Sequence, residues 1–286
     1  LQWFHDLADE RTDLLLDADW PAKRNVFANY GGFHGDNSAD KSYHAMTGVN
    51  CAFSCTYLIA LQSAIVLARA MGNDRDARSL ARRAGKLTRS LQQFWNPAKG
   101  CFSDTLDRTT HSAHASLMAV RAGVASRRQI ADIRRVLRRD FRSPFINGYD
   151  PSNGCYFGPS FSFYLFDGLY LIGLADVAQD LMRQGWGWML AQGLPTCAEF
   201  FSLRASLCHA WSAAPTYYLS KNILGVHYPA APDLDTIEIK VQAPGIAWAE
   251  GAWPHPRGVI EVKWHMDGAQ RIFDHIKVPA GVTILQ

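Results

Sequence analysis

The chain has no CxxC pair, no HExxH helix, no strand-helix alternation and no large surplus of one charge, and each absence removes a class of protein. Six cysteines scattered through 286 residues fit neither a disulfide scaffold nor a zinc site. Cys51 and Cys55 share a helix face at i, i+4, but no second pair completes a metal set. Buried free thiols are expected, with one or two disulfides open if the protein is exported. A net charge of +3 is too small to argue for nucleic acid or an anionic membrane as partner. No apolar run of about 18 residues and no leader-like segment is read, so nothing is expected to span a membrane. The compartment stays open between cytoplasm and export. The chain begins with Leu rather than Met, which reads as a processed or truncated part of something longer.

What is present is apolar and periodic. With 48% hydrophobic and 19% charged residues the chain can bury a large core. From about 49 to 224 apolar residues recur at i, i+3, i+4 and i+7, with breaks at Gly, Pro and Asn. Tyr57, Leu58, Leu61, Ala64, Ile65, Ala68 and Met71 make one stripe, stopped by Gly72-Asn73-Asp74; Ala77 to Phe94 makes the next. So short a connection predicts an antiparallel helical hairpin. The pattern recurs over 109–122, 126–141, 160–171, 173–189 and 206–224. From Thr236 the period becomes two, at 237–241, 259–263 and 277–285, which predicts a small antiparallel sheet. The expected fold is therefore mainly α: an (α/α) toroid of helical hairpins, incomplete at its N-terminus, over 1–228, then an antiparallel β-domain over 229–286. No fixed repeat of 34 or 40 residues supports a solenoid.

Several segments carry candidate chemistry. Residues 186–218 place one carboxylate, Glu199, among Trp186, Trp188, His209 and further aromatics. Sugar rings offer an apolar face to an indole and hydroxyls to carboxylate or imidazole, so this mixture suits a saccharide. The same residues also fit a packed helix junction with one solvated Glu. Arg127, Arg128, Arg134, Arg135, Arg138 and Arg139 lie opposite Ile130, Ile133, Val136 and Leu137 on one helix, as on a solvated face, and no nucleic acid is expected. The long connection 29–43 carries Asp36 and Asp40, which could be catalytic or meet a cation, although the ligands of a full calcium loop are lacking. His111 and His114 lie about one turn apart, suited to hydroxyls more than to a metal.

The order of these segments resembles the catalytic region of the bacterial α-L-rhamnosidase family, glycoside hydrolases with a six-hairpin toroid and a following β-domain. The resemblance runs from about Asp19 to the C-terminus. Its elements are Asp19-Trp20, VNCAFSCTYLIALQSAIVLARAMG, FWNPAKGCFSD, HSAHASLMAV, GPSFSFYLFDGLYLIG with WGWMLAQG, the turn Pro195-Thr196-Cys197-Ala198-Glu199, SLCHAWSAAPTYYLSKNILG, and VPAG at 278–281.

The resemblance implies that Glu199 is the general base of an inverting displacement, that His209 contacts sugar, and that Trp20, Trp186 and Trp188 shape the sugar pocket; His111, read from its own chemistry, is a further candidate for substrate hydroxyls. It implies an oligo- or polysaccharide substrate ending in α-L-rhamnose or a related sugar, with no metal or organic cofactor required. Ala198 and Cys208 depart from the family, which usually has Trp or Phe and Asn there. An inverting glycosidase also needs a carboxylic acid about 6.5 to 9.5 Å from the base. Asp9-Glu10-Arg11 copies part of the family's acid motif without the Gly-Trp that follows it. The acid is therefore expected either from Asp36 or Asp40 or from a missing N-terminal segment. Two other readings stay open: a polysaccharide lyase using Tyr30, Tyr164 or His209, and a glycan-binding module without activity.

Overall fold

The computed structural model describes residues 12, 14, 49–109, 111–140, 158–159, 161–199, 201, 203, 206–229 and 233–285. Helices α1 (Cys51–Ala70) and α2 (Asp74–Leu91) form the first hairpin. Asn50 caps α1 by accepting from the Phe53 N–H at 2.9 Å, and Asn73 caps α2, whose first turn carries Asp74 and Asp76 toward the positive end of its dipole. Gly72, at φ +72°, makes the tight reversal between them. Helices α3 (Ala113–Arg121) and α4 (Arg127–Asp140) repeat the unit, as do α5 (Ser162–Leu171) and α6 (Ala175–Ala191), and α7 (Ala214–Tyr218) follows.

Two kinds of helix alternate. In α3 every residue from Ala113 to Val120 is buried, whereas α4 buries only Ile133 and Leu137. The sequence dictates this difference, because α4 is basic on every turn and α3 carries one charge, Arg121. Packing follows: α1 meets α3, α3 meets α5 and α5 meets α7, while α2, α4 and α6 each back onto the preceding inner helix. That is the wall of an (α/α) toroid. At the α3–α5 crossing a Cβ on Gly168 would lie 3.0 Å from the Leu117 Cβ, so glycine permits the close approach.

The sequence marks α1 as the first helix of a hairpin but not as an apolar run of membrane-spanning length. Ser54, Thr56, Gln62 and Ser63 interrupt its run, yet α1 is long and apolar enough to cross a membrane by length and composition. Its first half is packed inside the wall, with residues 51–55, 57, 58 and 61 buried, and its second half turns Val66, Leu67 and Met71 outward.

After α7 the chain runs through a π-helical turn, Leu219–Leu224, that ends at Gly225 (φ +92°). Strands β3 (Val226–His227), β4 (Thr236–Ile239) and β8 (Thr283–Leu285) make one small sheet, antiparallel between β3 and β4 and parallel between β4 and β8. Strands β5 (Trp248–His255), β6 (Gly258–Asp267) and β7 (Gln270–Lys277) make an antiparallel meander. Ile260, Val262 and Trp264 on β6 pack with Ile237, Ile223, Leu224 and Val226 in a second core, and the Trp264 indole N–H donates to the Ile223 carbonyl at 2.9 Å. A hairpin of β1 (Trp95–Asn96) and β2 (Cys101–Phe102) joins α2 to α3.

Candidate functional site

Because the hairpins are antiparallel, the segments that lead from an outer helix to the next inner helix gather at one end of the wall. These are 92–112, from α2 to α3, and 192–213, from α6 to α7. Glu199 and His209 lie on the second of them and His111 on the first, so the topology puts the three on one end of the array.

The helix expected over 206–224 begins only at Ala214. The preceding residues run back along 196–199 instead. Glu199 N donates to the Ser206 carbonyl at 2.7 Å, His209 N donates to the Cys197 carbonyl at 2.8 Å, and the Thr196 hydroxyl donates to the Leu207 carbonyl. Pro215 then sits in the first turn of α7, where its missing N–H costs no bond. This pairing brings the Glu199 and His209 side chains together, with His209 Nδ1 3.9 Å from Glu199 Oε2. Both are partly open to solvent, at 23% for Glu199 and 31% for His209. Besides His209, the Glu199 carboxylate meets only the Ser206 N–H, at 3.4 Å, and no lysine or arginine pairs with it among the described residues. A carboxylate so placed keeps lone pairs available for water.

Trp211 was not singled out from the sequence, although it stands two residues beyond His209. Its ring lies over the His209 imidazole with centroids 4.0 Å apart and planes at 33°. A residue pair two apart stacks this way only because the segment is extended at His209 (φ −138°, ψ 112°), which a helical reading hides. Trp186, near the end of α6, is 9% exposed; its N–H donates to the Ser212 carbonyl at 2.7 Å and its ring packs against Phe166 and Phe201. It therefore props the Glu199 connection from below. Trp188 is half-buried against the first core.

On the neighbouring connection His111 is half-buried, and its Nδ1 is shielded from water without a hydrogen-bond partner among the described residues. Burial, then Lys99, push its pKa down, so it is a neutral imidazole at pH 7. His114 is buried in α3 against Phe161, centroids 4.8 Å apart, and burial pushes its pKa down to about 3. Asp104, also missed by sequence reasoning, is 2% exposed and accepts from the Ser112 N–H at 3.2 Å and its hydroxyl at 2.5 Å, which fixes the start of α3. All four residues from Cys101 to Asp104 are buried, so no period-two alternation marks it in the sequence. Tyr164 lies under the Arg121 guanidinium, 5.0 Å from its ring centroid. Among the described residues no group of three or more His, Cys, Asp and Glu could hold a metal. Cys51, Cys55 and Cys101 are buried free thiols. Trp20, Tyr30, Asp36, Asp40 and Asp9-Glu10-Arg11 lie outside the described residues.

Residues 3–223 match the bacterial alpha-L-rhamnosidase 6 hairpin glycosidase domain. A GH78 family rhamnosidase from Bacillus sp. GL1 is 30% identical over 78% of this chain and 24% of its own, with a TM-score of 0.64. The Streptomyces avermitilis alpha-L-rhamnosidase complexed with L-rhamnose has a TM-score of 0.70 at 13% identity, covering 99% of this chain and 26% of its own. A Klebsiella oxytoca rhamnosidase with rhamnose bound has a TM-score of 0.57 at 23% identity over 75% of this chain and 39% of its own. The chain thus spans about a quarter of the first two relatives and under half of the third. No curated protein sequence matches it.

Proposed function

The chain belongs to the bacterial alpha-L-rhamnosidase six-hairpin glycosidase family, and from that premise we propose that it forms part of an inverting glycoside hydrolase acting on terminal α-L-rhamnose or a related sugar of a glycan. One observation carries the reading. Glu199 is a partly exposed carboxylate that no lysine or arginine pairs among the described residues, set beside His209 and Trp211 at the end of the wall where His111 also lies.

In this reading Glu199 removes a proton from water, the water oxygen bonds to the anomeric carbon, and the bond to the leaving oxygen breaks as a carboxylic acid protonates it. Asp36 and Asp40 are the acid candidates within this chain, and a preceding segment of a longer protein is the other source. His209 and His111 hydrogen-bond hydroxyls, and Trp211 offers an indole to the ring. Trp188 and Trp20 shape the pocket, and Trp186 acts through the backbone it holds at Ser212. The displacement itself requires neither metal nor organic cofactor.

The anomer first formed tests the scheme. Proton NMR during hydrolysis of an α-L-rhamnoside by the protein that carries this chain should show β-L-rhamnose before mutarotation. An α product would overturn inversion, and an unsaturated product absorbing in the ultraviolet, formed from a glycan whose rhamnose is linked to O4 of a uronate, would indicate a lyase.

A further inference from the structure

The end of α2, the start of β1 and the first turns of α4 enclose a cleft of about 470 Å³ that shares no residue with the Glu199 connection. That volume falls in the range of about 300 to 1,000 Å³ typical of small-molecule sites. Trp95 forms one wall. It is half-buried, and its ring stands edge to face with Phe102, centroids 5.2 Å apart, which fixes the indole in orientation. The remaining lining is largely polar, with Gln92, Arg128, Gln129 and Asp132.

These groups are held in place by their own bonds. Ser126 N donates to Gln129 Oε1 at 2.8 Å and Gln129 N to the Ser126 hydroxyl at 3.3 Å, a reciprocal cap on α4. Gln129 Nε2 donates to Gln92 Oε1 at 2.9 Å, and Gln92 Nε2 to the Val124 carbonyl at 2.7 Å. Asp132 accepts from Arg135 through Oδ1 at 2.6 Å. Arg128 is exposed and has no carboxylate partner among the described residues.

A fixed indole, an uncommitted guanidinium, a carboxylate oxygen and two amides match a pyranose, which has one apolar face and a rim of hydroxyls that both donate and accept. A phosphate ligand would meet the Asp132 carboxylate, and a lipid chain would find too little apolar wall. We propose that this cleft is a second, non-catalytic saccharide site that stacks a pyranose of a glycan on Trp95, with Arg128 and Asp132 on its hydroxyls. Holding one sugar unit there raises the effective concentration of the same chain elsewhere on the protein. The proposal does not depend on the role of Glu199.

Fluorine NMR of the protein labelled with 5-fluorotryptophan tests it, with the Trp95 resonance assigned through Trp95→Phe. L-Rhamnose and D-glucuronate, titrated separately to millimolar concentrations, probe a neutral and an acidic pyranose. At least one should shift the Trp95 resonance saturably, Arg128→Ala should weaken that response about tenfold, and Glu199→Gln should leave it unchanged. A Trp95 resonance that neither sugar moves, or a response indifferent to Arg128→Ala, overturns the proposal. The Trp211 resonance reports separately on the Glu199 connection, so a response there without one at Trp95 sinks this site alone.

Discussion

The proposed base needs lone pairs free for water, and among the described residues Glu199 meets only His209 and the Ser206 N–H. Trp211 gains importance by the same local geometry. Trp211→Ala should raise KM for an α-L-rhamnoside about tenfold, the size of one stacking contact, with a smaller change in kcat; steady-state kinetics would show the split. His114 gives a prediction of a different kind. Its folded pKa, about 3, lies below the ordinary 6.5, so below pH 6.5 the unfolded chain binds a proton that the folded one refuses. Stability is therefore full above 6.5 and is lost as pH falls toward 3, by at most about 1.4 kcal/mol per pH unit from this residue. Burial lowers His111 and His227 in the same direction. Between pH 6.5 and 4, His114→Asn should lose stability less steeply than wild type in urea unfolding; parallel curves would refute the assignment. At this scale the resemblance pointed to Glu199 and His209, whose side chains lie 3.9 Å apart. The Trp211 stack was not, because periodicity treats 206–213 as helix and cannot register the backbone bonds to Cys197 and Glu199 that unwind it.

Among elements, the hairpins were legible because Gly72, Gly123, Gly173 and Gly193 mark the ends of strongly periodic runs, each with positive φ. Their starts were less so: 206–213 carries Leu207, Ala210 and Trp211 at helical spacing but serves as a connection, and the helix expected from Thr109 begins only at Ala113. In the β region, β6 showed through as alternation at Ile260, Val262 and Trp264. β5 was hidden by Gly251 and Pro254, which read as breakers although both sit within an edge strand. Two helix glycines separate packing from propensity. Gly168→Ala drives a methyl against Leu117 and should cost about 1 to 3 kcal/mol. Gly187→Ala, with nothing within 4 Å of its new methyl in α6, should stabilise by about 0.5 to 1 kcal/mol. Chemical denaturation of both variants checks the pair, and equal effects would contradict the proposed close crossing of α3 and α5.

For the whole molecule, alternation of inner helices such as α3 with outer helices such as α4 builds a toroid wall, and the family match over residues 3–223 agrees with that architecture. The second core depends on Trp264, so Trp264→Ala should lower stability by about 3 to 5 kcal/mol in calorimetry. Among the described residues, the connections from α2 to α3 and from α6 to α7 return to the same rim, which collects His111 and His209, nearly a hundred positions apart. The central claim, that the carboxylate on that rim activates water, is tested most directly by Glu199→Gln in the protein that carries this chain. The account predicts that kcat for an α-L-rhamnoside falls at least about a hundredfold while the melting temperature moves by no more than about 2 °C. Undiminished hydrolysis by a normally folded Glu199→Gln protein would contradict it.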